Sequence, residues 1–360
     1  MSNSYDKIYE IRLACRADIP VIMNFIKEHW AVDHVLACSR EVFEYEFCAD
    51  DDQVNFVLAY HRRNRSLEGI CGFKPCSHPN KHSKLPLDVW GCAWIVNYHH
   101  HNEPLLGVEL AKRLFVLTGC RYHIGTKADP KTTVVLRRLF FGDQVAMMKQ
   151  YYLLNPTLTP ADFKLARIAS LPSLESADTA SQVQAVGPYA DFAALKADFC
   201  LSAYPTVPLK DEWYVERRYF HCPWYRYQVF GLRRPGEQVR AVIVARLVVC
   251  NGVRVLRIVD YLGDHALLGG LKEVLTGWLM QYNCEYLDLY ERGLEDELLT
   301  KAGLTLRKVD DENIIPNYLE PYICKNVDVW VHFQDPRTLF FKADGDQDRP
   351  SCLPVPHKEE

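Results

Sequence analysis

Between Trp94 and Leu110 the chain runs from the apolar segment Trp94-Ile95-Val96-Asn97-Tyr98 through a polar turn, HHHNEPLL, into Gly107-Val108-Glu109-Leu110. A strand that turns into a helix start leaves backbone N–H groups without intrahelical acceptors, and the helix dipole adds partial positive charge there. Both favour a pyrophosphate, and Gly107 stands where backbone must come close to one. The same pattern also describes an ordinary strand-to-helix connection with glycine at its turn. A second chemical constellation is Arg217, Arg218, Tyr219, His221, Trp224 and Tyr225. Guanidinium forks pair bidentately with phosphate and flat rings stack on a base, which suits a nucleoside diphosphate; a domain interface is an equal reading. The run His99-His100-His101 cannot aim three side chains at one metal and has no carboxylate or cysteine partner at ligand spacing. It reads as a solvated turn whose imidazoles could donate to phosphate, and no metal is expected. Residues 342–350, KADGDQDRP, evoke a calcium loop but lack the EF-hand spacing and terminal Glu, so a hydrogen-bonded turn is expected. Asp260, Asp288 and Glu291 fall near strand ends and read as capping or solvent-facing groups rather than acceptor contacts.

The elements that must position these groups follow from periodicity. IYEIRLA reads as a strand, and Asp18 can cap a helix whose apolar positions are Val21, Ile22, Phe25 and Ile26. After EVFEYEF come the strands VNFVLAYHRR and EGICGFKPC, joined as a meander, and a loop (76–86) rich in Pro, His, Lys and Ser. LDVWGCAWIVNY is the next strand, LGVELAKRLFVL a helix, YHIGTKA a strand, PKTTVVLRRLFF a helix and QVAMMKQYYLL a last strand. This order predicts a mixed, twisted sheet with helices on both faces. Residues 158–188, rich in Pro, Ser, Ala and Thr, read as a linker. From 189 the pattern of strands, helix, strand, helix recurs, so the expected fold class is α/β (mixed α+β sheets) with two domains of one architecture, 1–157 and 189–350, and a flexible tail, 351–360.

The bulk composition narrows the class. The 360 residues are 48% hydrophobic and 24% charged, which fits two folded domains. A net charge of −4 with no Lys/Arg run disfavours nucleic acid as a partner. No apolar stretch approaches the roughly 20 residues that span a bilayer, and the N-terminus lacks a secretory pattern. The 13 cysteines contain no C-x-x-C pair and read as reduced thiols in a cytoplasm.

The order of elements around residues 88–110 resembles the GNAT acyltransferase superfamily, in which the fourth strand, the turn and the next helix hold the pantetheine and pyrophosphate of acyl-CoA. The resemblance extends to a narrower group, the two-domain N-acyltransferases of bacterial surface-sugar pathways such as anthrose biosynthesis. It is carried by EHW-x-x-x-H (28–34), GFKPCS (72–77), DVWGCAWIV (88–96), P-L-L-G (104–107) and YYLLNP (151–156). In the second half it is carried by W-x-x-x-RRYFHCPWYRY (213–227), RIVDYLGD (257–264), NIIPNYLEPY (313–322) and FFKADGDQDRP (340–350).

The resemblance implies a cytoplasmic acyl-CoA-dependent N-acyltransferase of lipopolysaccharide or O-antigen biosynthesis. Its acceptor would be the amine of a nucleotide-linked amino sugar, such as a dTDP-4-amino-4,6-dideoxyhexose, in a cleft between the domains. It implies acyl-CoA contacts at Ile95, Val96, Asn97, Asn102, Leu106, Gly107 and Val108, and sugar-nucleotide contacts at Arg217, Arg218, Tyr219, Trp224 and Tyr225. Asp88 would be the base that takes the proton of the acceptor ammonium, Ser77 would bond the same amine or its sugar, and His29 and His34 would line the acceptor side. Three departures stand out. Asn102 occupies the place of the usual basic residue in the turn and Leu105 that of its first glycine, while Leu136 stands where many members carry a tyrosine acid. A CoA thiolate is a fair leaving group near neutral pH without such an acid. A peptide or small-molecule amine is the alternative acceptor, and a degenerate, non-catalytic binding module the alternative role. The sequence leaves the oligomeric state open.

Overall fold

The computed structural model describes residues 4–48, 52–79, 86–172 and 182–355. Residues 80–85 of the polar loop, 173–181 of the expected linker and 356–360 of the expected tail lie outside the described residues. The chain divides into two compact units. Unit 1 comprises Met1–Val145 with Val331–Pro336 and Arg349–Val355, and unit 2 comprises Ala146–Trp330 with Arg337–Asp348.

In chain order the first part carries α1 (Ser4–Ile8), β1 (Tyr9–Cys15), α2 (Ile19–His29), α3 (Val35–Cys38), α4 (Arg40–Phe47), β2 (Gln53–His61), β3 (Leu67–Pro75), β4 (Asp88–Val96), α5 (Leu106–Thr118), β5 (Tyr122–Thr126), α6 (Thr133–Phe141) and β6 (Gln144–Met147). Next come β7 (Lys149–Leu154), β8 (Gln184–Val186), α7 (Phe192–Asp198), α8 (Glu212–Val215), β9 (Tyr227–Arg233), β10 (Ala241–Cys250), β11 (Val253–Gly263), α9 (Lys272–Gln281), β12 (Cys284–Arg292) and α10 (Asp296–Lys301). The short strands β13 (Thr305–Leu306), β14 (Tyr318–Leu319), β15 (Tyr322–Ile323), β16 (Trp330–Phe333) and β17 (Phe340–Phe341) close the chain.

The first sheet has the order β1-β2-β3-β4-β5-β16-β6; β1–β2, β2–β3, β3–β4 and β5–β16 pair antiparallel, and β4–β5 pair parallel. Alternate residues of its strands serve opposite faces. Val57, Ala59, Cys71, Phe73 and Val89 pack under Leu106, Leu110, Ala111 and Leu114 of α5. On the other set, Phe56 stacks on Phe43 of α4, with ring centroids 5.5 Å apart. EVFEYEF is thus helical; it buries Val42, Phe43 and Phe47, and Ser39 caps it by accepting from Val42 N–H. Asp18 precedes α2 but does not cap it. Its carboxylate is held by Arg12 (2.7 and 2.8 Å) and the N–H of Cys15 (2.9 Å).

The second sheet has the order β13-β7-β12-β11-β10-β9-β8, with β17 added to β12. Leu275, Trp278 and Leu279 of α9 and Leu299 of α10 cover Ile243, Leu256, Ile258, Leu287 and Leu289. Two expectations change here. QVAMMKQYYLL is not one strand: it breaks at Met148, whose N–H bonds Val329 O, and β7 joins the second sheet opposite Tyr286–Glu291 of β12. Part of the presumed linker is core of unit 2. Leu165, Ala166 and Ile168 are buried, and the carboxylate of Glu285 accepts the N–H groups of Lys164, Leu165 and Ala166 at 2.7–3.2 Å. Among the described residues no disulfide links the cysteines, and no helix is long and apolar enough to cross a membrane.

Candidate active site

The parallel ladder of β4 and β5 runs from Asp88 opposite Tyr122 to Gly91 opposite Gly125 and stops there. On its other edge β4 stays paired with β3 as far as Val96 opposite Gly69. That second ladder slips between Cys71 and Gly72, leaving Ala93 as the extra residue on β4, with φ +35°. A bulge of this kind bends a strand and re-aims it. Here it coincides with the point where β4 and β5 part, so the β5-facing edge beyond Gly91 has no strand partner among the described residues. An extended ligand carrying amides can pair with such an edge as a strand would.

The turn after β4 is organised by a buried acid, Glu68 of β3. It accepts from Ser66 Oγ, His100 Nδ1 (2.8 and 3.0 Å) and Asn102 Nδ2 (3.3 Å). Burial acts to raise its pKa, but these donors more than offset burial and hold the group below the ordinary carboxylate range. Asn102 also donates to Asn97 O (2.9 Å), Asn97 Oδ1 accepts from His99 N–H (2.9 Å), and Tyr9 joins Asn102 to the N–H of Glu103. The turn is thereby rigid, yet residues 97–108 contain no Lys or Arg.

Leu105 adopts φ +64°, the left-handed conformation that glycine would take without strain, so the backbone keeps the shape that the side chain opposes. Gly107 also serves the packing of α5 on β4. A β-carbon there would meet Trp94 Nε1 at 3.2 Å and a Val96 methyl at 3.3 Å, and Trp94 Nε1 donates to Gly107 O (2.7 Å). The glycine lets α5 close against β4. Among the described hydrogen bonds, the N–H groups of Gly107 and Val108 have no acceptor, as expected for a helix's first turn. Ile95 and Val96 lie on the open part of β4, Asn97 and Asn102 in the turn, and Leu106 and Val108 are buried under α5's own face.

The four expected acceptor-side residues do not share one place. Asp88 heads β4 as expected but is fully buried, with both oxygens on Arg121 (2.9 and 2.6 Å). A carboxylate gripped bidentately stabilises its ion pair, and this corrects its expected role as the base. Ser77 is also buried at that end of the hairpin, next to Cys76, whose N–H bonds Asp88 O at 2.9 Å. His34 caps α3: its Nδ1 accepts from Leu36 N–H (3.2 Å) and its ring stacks on Trp30. That leaves His29 at the end of α2, with its ring centroid 5.5 Å from that of His99 in the turn. Burial lowers its pKa, so its imidazole is neutral at pH 7; Glu28 approaches only to 3.9 Å.

A set of residues that sequence reasoning missed lies at the fork itself. His123 of β5, Arg137 of α6, Asp143 and His332 of β16 are all buried. Arg137 bonds Asp143 (2.7 Å), His123 Nδ1 (3.2 Å) and His123 O (2.8 Å), and Asp143 bonds His332 Nδ1 (2.8 Å). Gln334 closes the set onto Asp143 (2.7 Å) and the backbone of His123. Gly91 and Gly125 were the only local signal. A β-carbon at Gly91 would lie 2.5 Å from His123 Nε2, and one at Gly125 closer still to His332 Nε2.

Unit 2 repeats the fork and fills it. Its parallel ladder of β11 and β12 ends at Ile258 opposite Leu289. Beyond that, Ala343 N–H bonds Val259 O (2.9 Å) while Phe340 and Phe341 of β17 pair with Arg292 and Glu291. Lys210 Nζ sits between Asp260 and Asp344 at 2.8 Å from each. The segment 340–348 is therefore a hydrogen-bonded plug, and the aromatic-basic patch packs with it rather than facing solvent. Arg218 donates to the carbonyls of Ala343 and Asp348, Tyr219 to Asp260, and Arg246 lies 3.8 Å over the ring of Tyr225. With Trp224 they are buried, so their expected stacking on a nucleotide is corrected; Arg217 is half-buried beside Trp213. Asp288 is spent on Arg257, and Glu291 is buried, with its pKa pushed up by burial to about 7. His99 and His101 are exposed, and no metal-ligating group assembles among the described residues.

Neither a family model nor a curated protein matches the sequence. Solved structures do resemble it. A conserved protein of unknown function from Enterococcus faecalis, described as a probable N-acyltransferase, superposes with a TM-score of 0.50 at 9% identity, over 83% of this chain and 70% of that one. A GCN5-related N-acetyltransferase from Anabaena variabilis gives 0.49 at 9% identity over 90% and 72%, and Saccharomyces cerevisiae N-myristoyltransferase with bound myristoyl-CoA gives 0.43 at 8% over 94% and 84%. At such identities the likeness is one of architecture alone: the chain shares the mixed α/β fold of the Enterococcus faecalis protein.

Proposed function

We propose that the chain is an acyl-CoA-dependent N-acyltransferase that binds its acyl donor in unit 1. The observation that carries this reading is the unpaired β4 edge beyond Gly91, with its bulge at Ala93, set against the equivalent fork of unit 2, which the chain's own residues 340–343 occupy. The pantetheine amides of CoA would pair with Ala93–Val96, and the diphosphate would meet the N–H groups of Gly107 and Val108. CoA enters as a co-substrate, consumed as the acyl thioester and released as the thiol.

The reaction requires a neutral amine at the thioester carbonyl. His29, neutral at pH 7 and on the element facing the turn, is the base we assign to the acceptor ammonium. The amine then attacks the carbonyl carbon directly, the C–S bond breaks, and an amide and the CoA thiolate result, with no acyl-enzyme stage. For the acceptor we propose the amine of a nucleotide-linked amino sugar, which rests on the sequence motifs of the two-domain surface-sugar N-acyltransferases.

Release of CoA thiol from acetyl-CoA, with a dTDP-4-amino-4,6-dideoxyhexose, a peptide amine and a polyamine as rival acceptors, tests both parts. The expected result is release that depends on the amino-sugar nucleotide. A His29→Gln variant should lose about 10²–10⁴-fold in kcat with CoA affinity intact. Release driven only by the peptide or polyamine would overturn the sugar reading. Undiminished turnover in His29→Gln would remove His29 from the mechanism.

A further inference from the structure

The two Nε2 atoms that stand over Gly91 and Gly125 have opposite hydrogen-bonding characters, and the network behind them dictates which is which. Arg137 can only donate, so His123 Nδ1, 3.2 Å from Arg137 Nη1, must be the acceptor. The proton of the neutral His123 ring is then on Nε2. His332 Nδ1 faces the carboxylate of Asp143 at 2.8 Å and donates to it, which leaves its Nε2 with a lone pair. Burial, with Arg137 and His332 adding, holds His123 well below the ordinary histidine range, so the ring stays neutral and this assignment stands at neutral pH. Gly91 and Gly125 are the last opposed pair before β4 and β5 part. The rings therefore lie over the floor of the fork, and only glycine at both positions leaves them room.

We propose that His123 Nε2–H is the donor that stabilises the thiolate leaving acyl-CoA at the floor of the β4–β5 fork, with Arg137 as the residue that positions it. This rests on the reading of unit 1 as the acyl-CoA site. As the amine nitrogen bonds the carbonyl carbon, the C–S bond breaks and its electron pair goes to sulfur. The sulfur departs as a thiolate that accepts the hydrogen bond; His123 keeps its proton, and the ammonium proton has gone to the base. A preorganised donor of this kind serves where charge develops. It gives a role to the buried Arg137 of α6, whose bond to His123 Nδ1 fixes the ring's tautomer.

The charged and titratable groups facing His123 and Arg137 are Asp143, His332 and the thiols of Cys71 and Cys120. Burial pushes those thiols up to about 12 and about 11, and Asp143 is held below the usual carboxylate range by His332, Arg137 and Gln334 against the opposing effect of burial. None of them titrates between pH 6.5 and 9, so a change in that window belongs to the ligand's thiol, whose ordinary pKa is about 8.5.

The experiment compares the affinities of CoA and desulfo-CoA for the full chain across that window by calorimetry. In the wild type, CoA should gain about tenfold over desulfo-CoA as pH rises, the mark of a bound thiol whose pKa is lowered by about one unit. His123→Phe, which fills the space without a donor, should abolish the gain, and His123→Gln, which keeps an N–H, should retain part of it. Wild-type binding of CoA without that gain, or an equal gain in His123→Phe, would overturn the proposal. Should His123→Phe not fold, the ¹⁵N resonance of His123 Nε2 in the wild type decides: it should shift with CoA at pH 9 but not with desulfo-CoA, and an unmoved resonance overturns the proposal. A wild type that binds neither ligand overturns the acyl-CoA reading itself.

Discussion

His123 and His332 are kept uncharged in the fold, and acid exploits this. Burial, with Arg137 beside it, pushes His332 down to about 4 against the pull of Asp143. A histidine of ordinary pKa near 6.5 in the unfolded chain takes up a proton that the folded ring refuses. Stability is therefore complete above pH 6.5 and declines as pH falls from there towards 4, by about 3 kcal/mol from His332 alone. Urea unfolding at pH 7.5 and pH 4.5 should show that loss, and His332→Asn should flatten it; a flat wild-type profile would contradict the neutral-ring assignment. Asp88 offers the opposite kind of test. Its bidentate pair with Arg121 is structural, so Asp88→Asn should lower stability by about 2 kcal/mol and leave CoA affinity within twofold. An unchanged melting temperature with lost turnover would restore Asp88 to the chemistry. The carboxylate's position at the head of β4 could be read from the sequence, but its partner could not. Arg121 lies 33 residues on and meets Asp88 only because β5 pairs in parallel beside β4.

At the scale of elements, β4, its turn and α5 were legible because each carries a strong local signal. Apart from Asp88, LDVWGCAWIV is an apolar run, the turn is mostly polar, and the α5 sequence has helical spacing. The bulge at Ala93 has no such signal, since alanine is an ordinary strand residue and the slip is set by pairing with β3. Nor does Leu105 announce its conformation. A leucine held at φ +64° is strained by about 1–2 kcal/mol, and its side chain is 48% exposed, so little packing is lost by removing it. Leu105→Gly should stabilise the chain by about 0.5–1 kcal/mol after the greater freedom of unfolded glycine is deducted. Denaturation with an unchanged m-value is the check; destabilisation would mean that Leu105 contacts hold the turn. The plugged fork of unit 2 was half visible: the turn at 342–350 was expected, but its backbone bond to Val259 spans 84 residues of chain.

For the whole molecule, the repeat of one architecture was readable from the recurring order of strands and helices, while the strand β16 was not. Its four residues, Trp330–Phe333, enter the first sheet beside β5, some two hundred positions after their partners Gly125 and Thr126. No local pattern encodes such a return, and His332 arrives with it. A chain ending at 329 should therefore lose native protection in β5 as well as the partner of Asp143. Hydrogen exchange is the readout, and unaltered protection of Tyr122–Thr126 would show that unit 1 does not need the strand. The central claim, that unit 1's open edge is the acyl-CoA site and unit 2's closed fork is not, is met most directly by a crystal structure of the full chain with CoA. The account predicts one CoA per chain, its pantetheine amides bonded to the backbone of residues 93–96 and its diphosphate at the start of α5. CoA lodged against β11 in place of residues 340–343, or an unaltered β4 edge with CoA elsewhere, would contradict it.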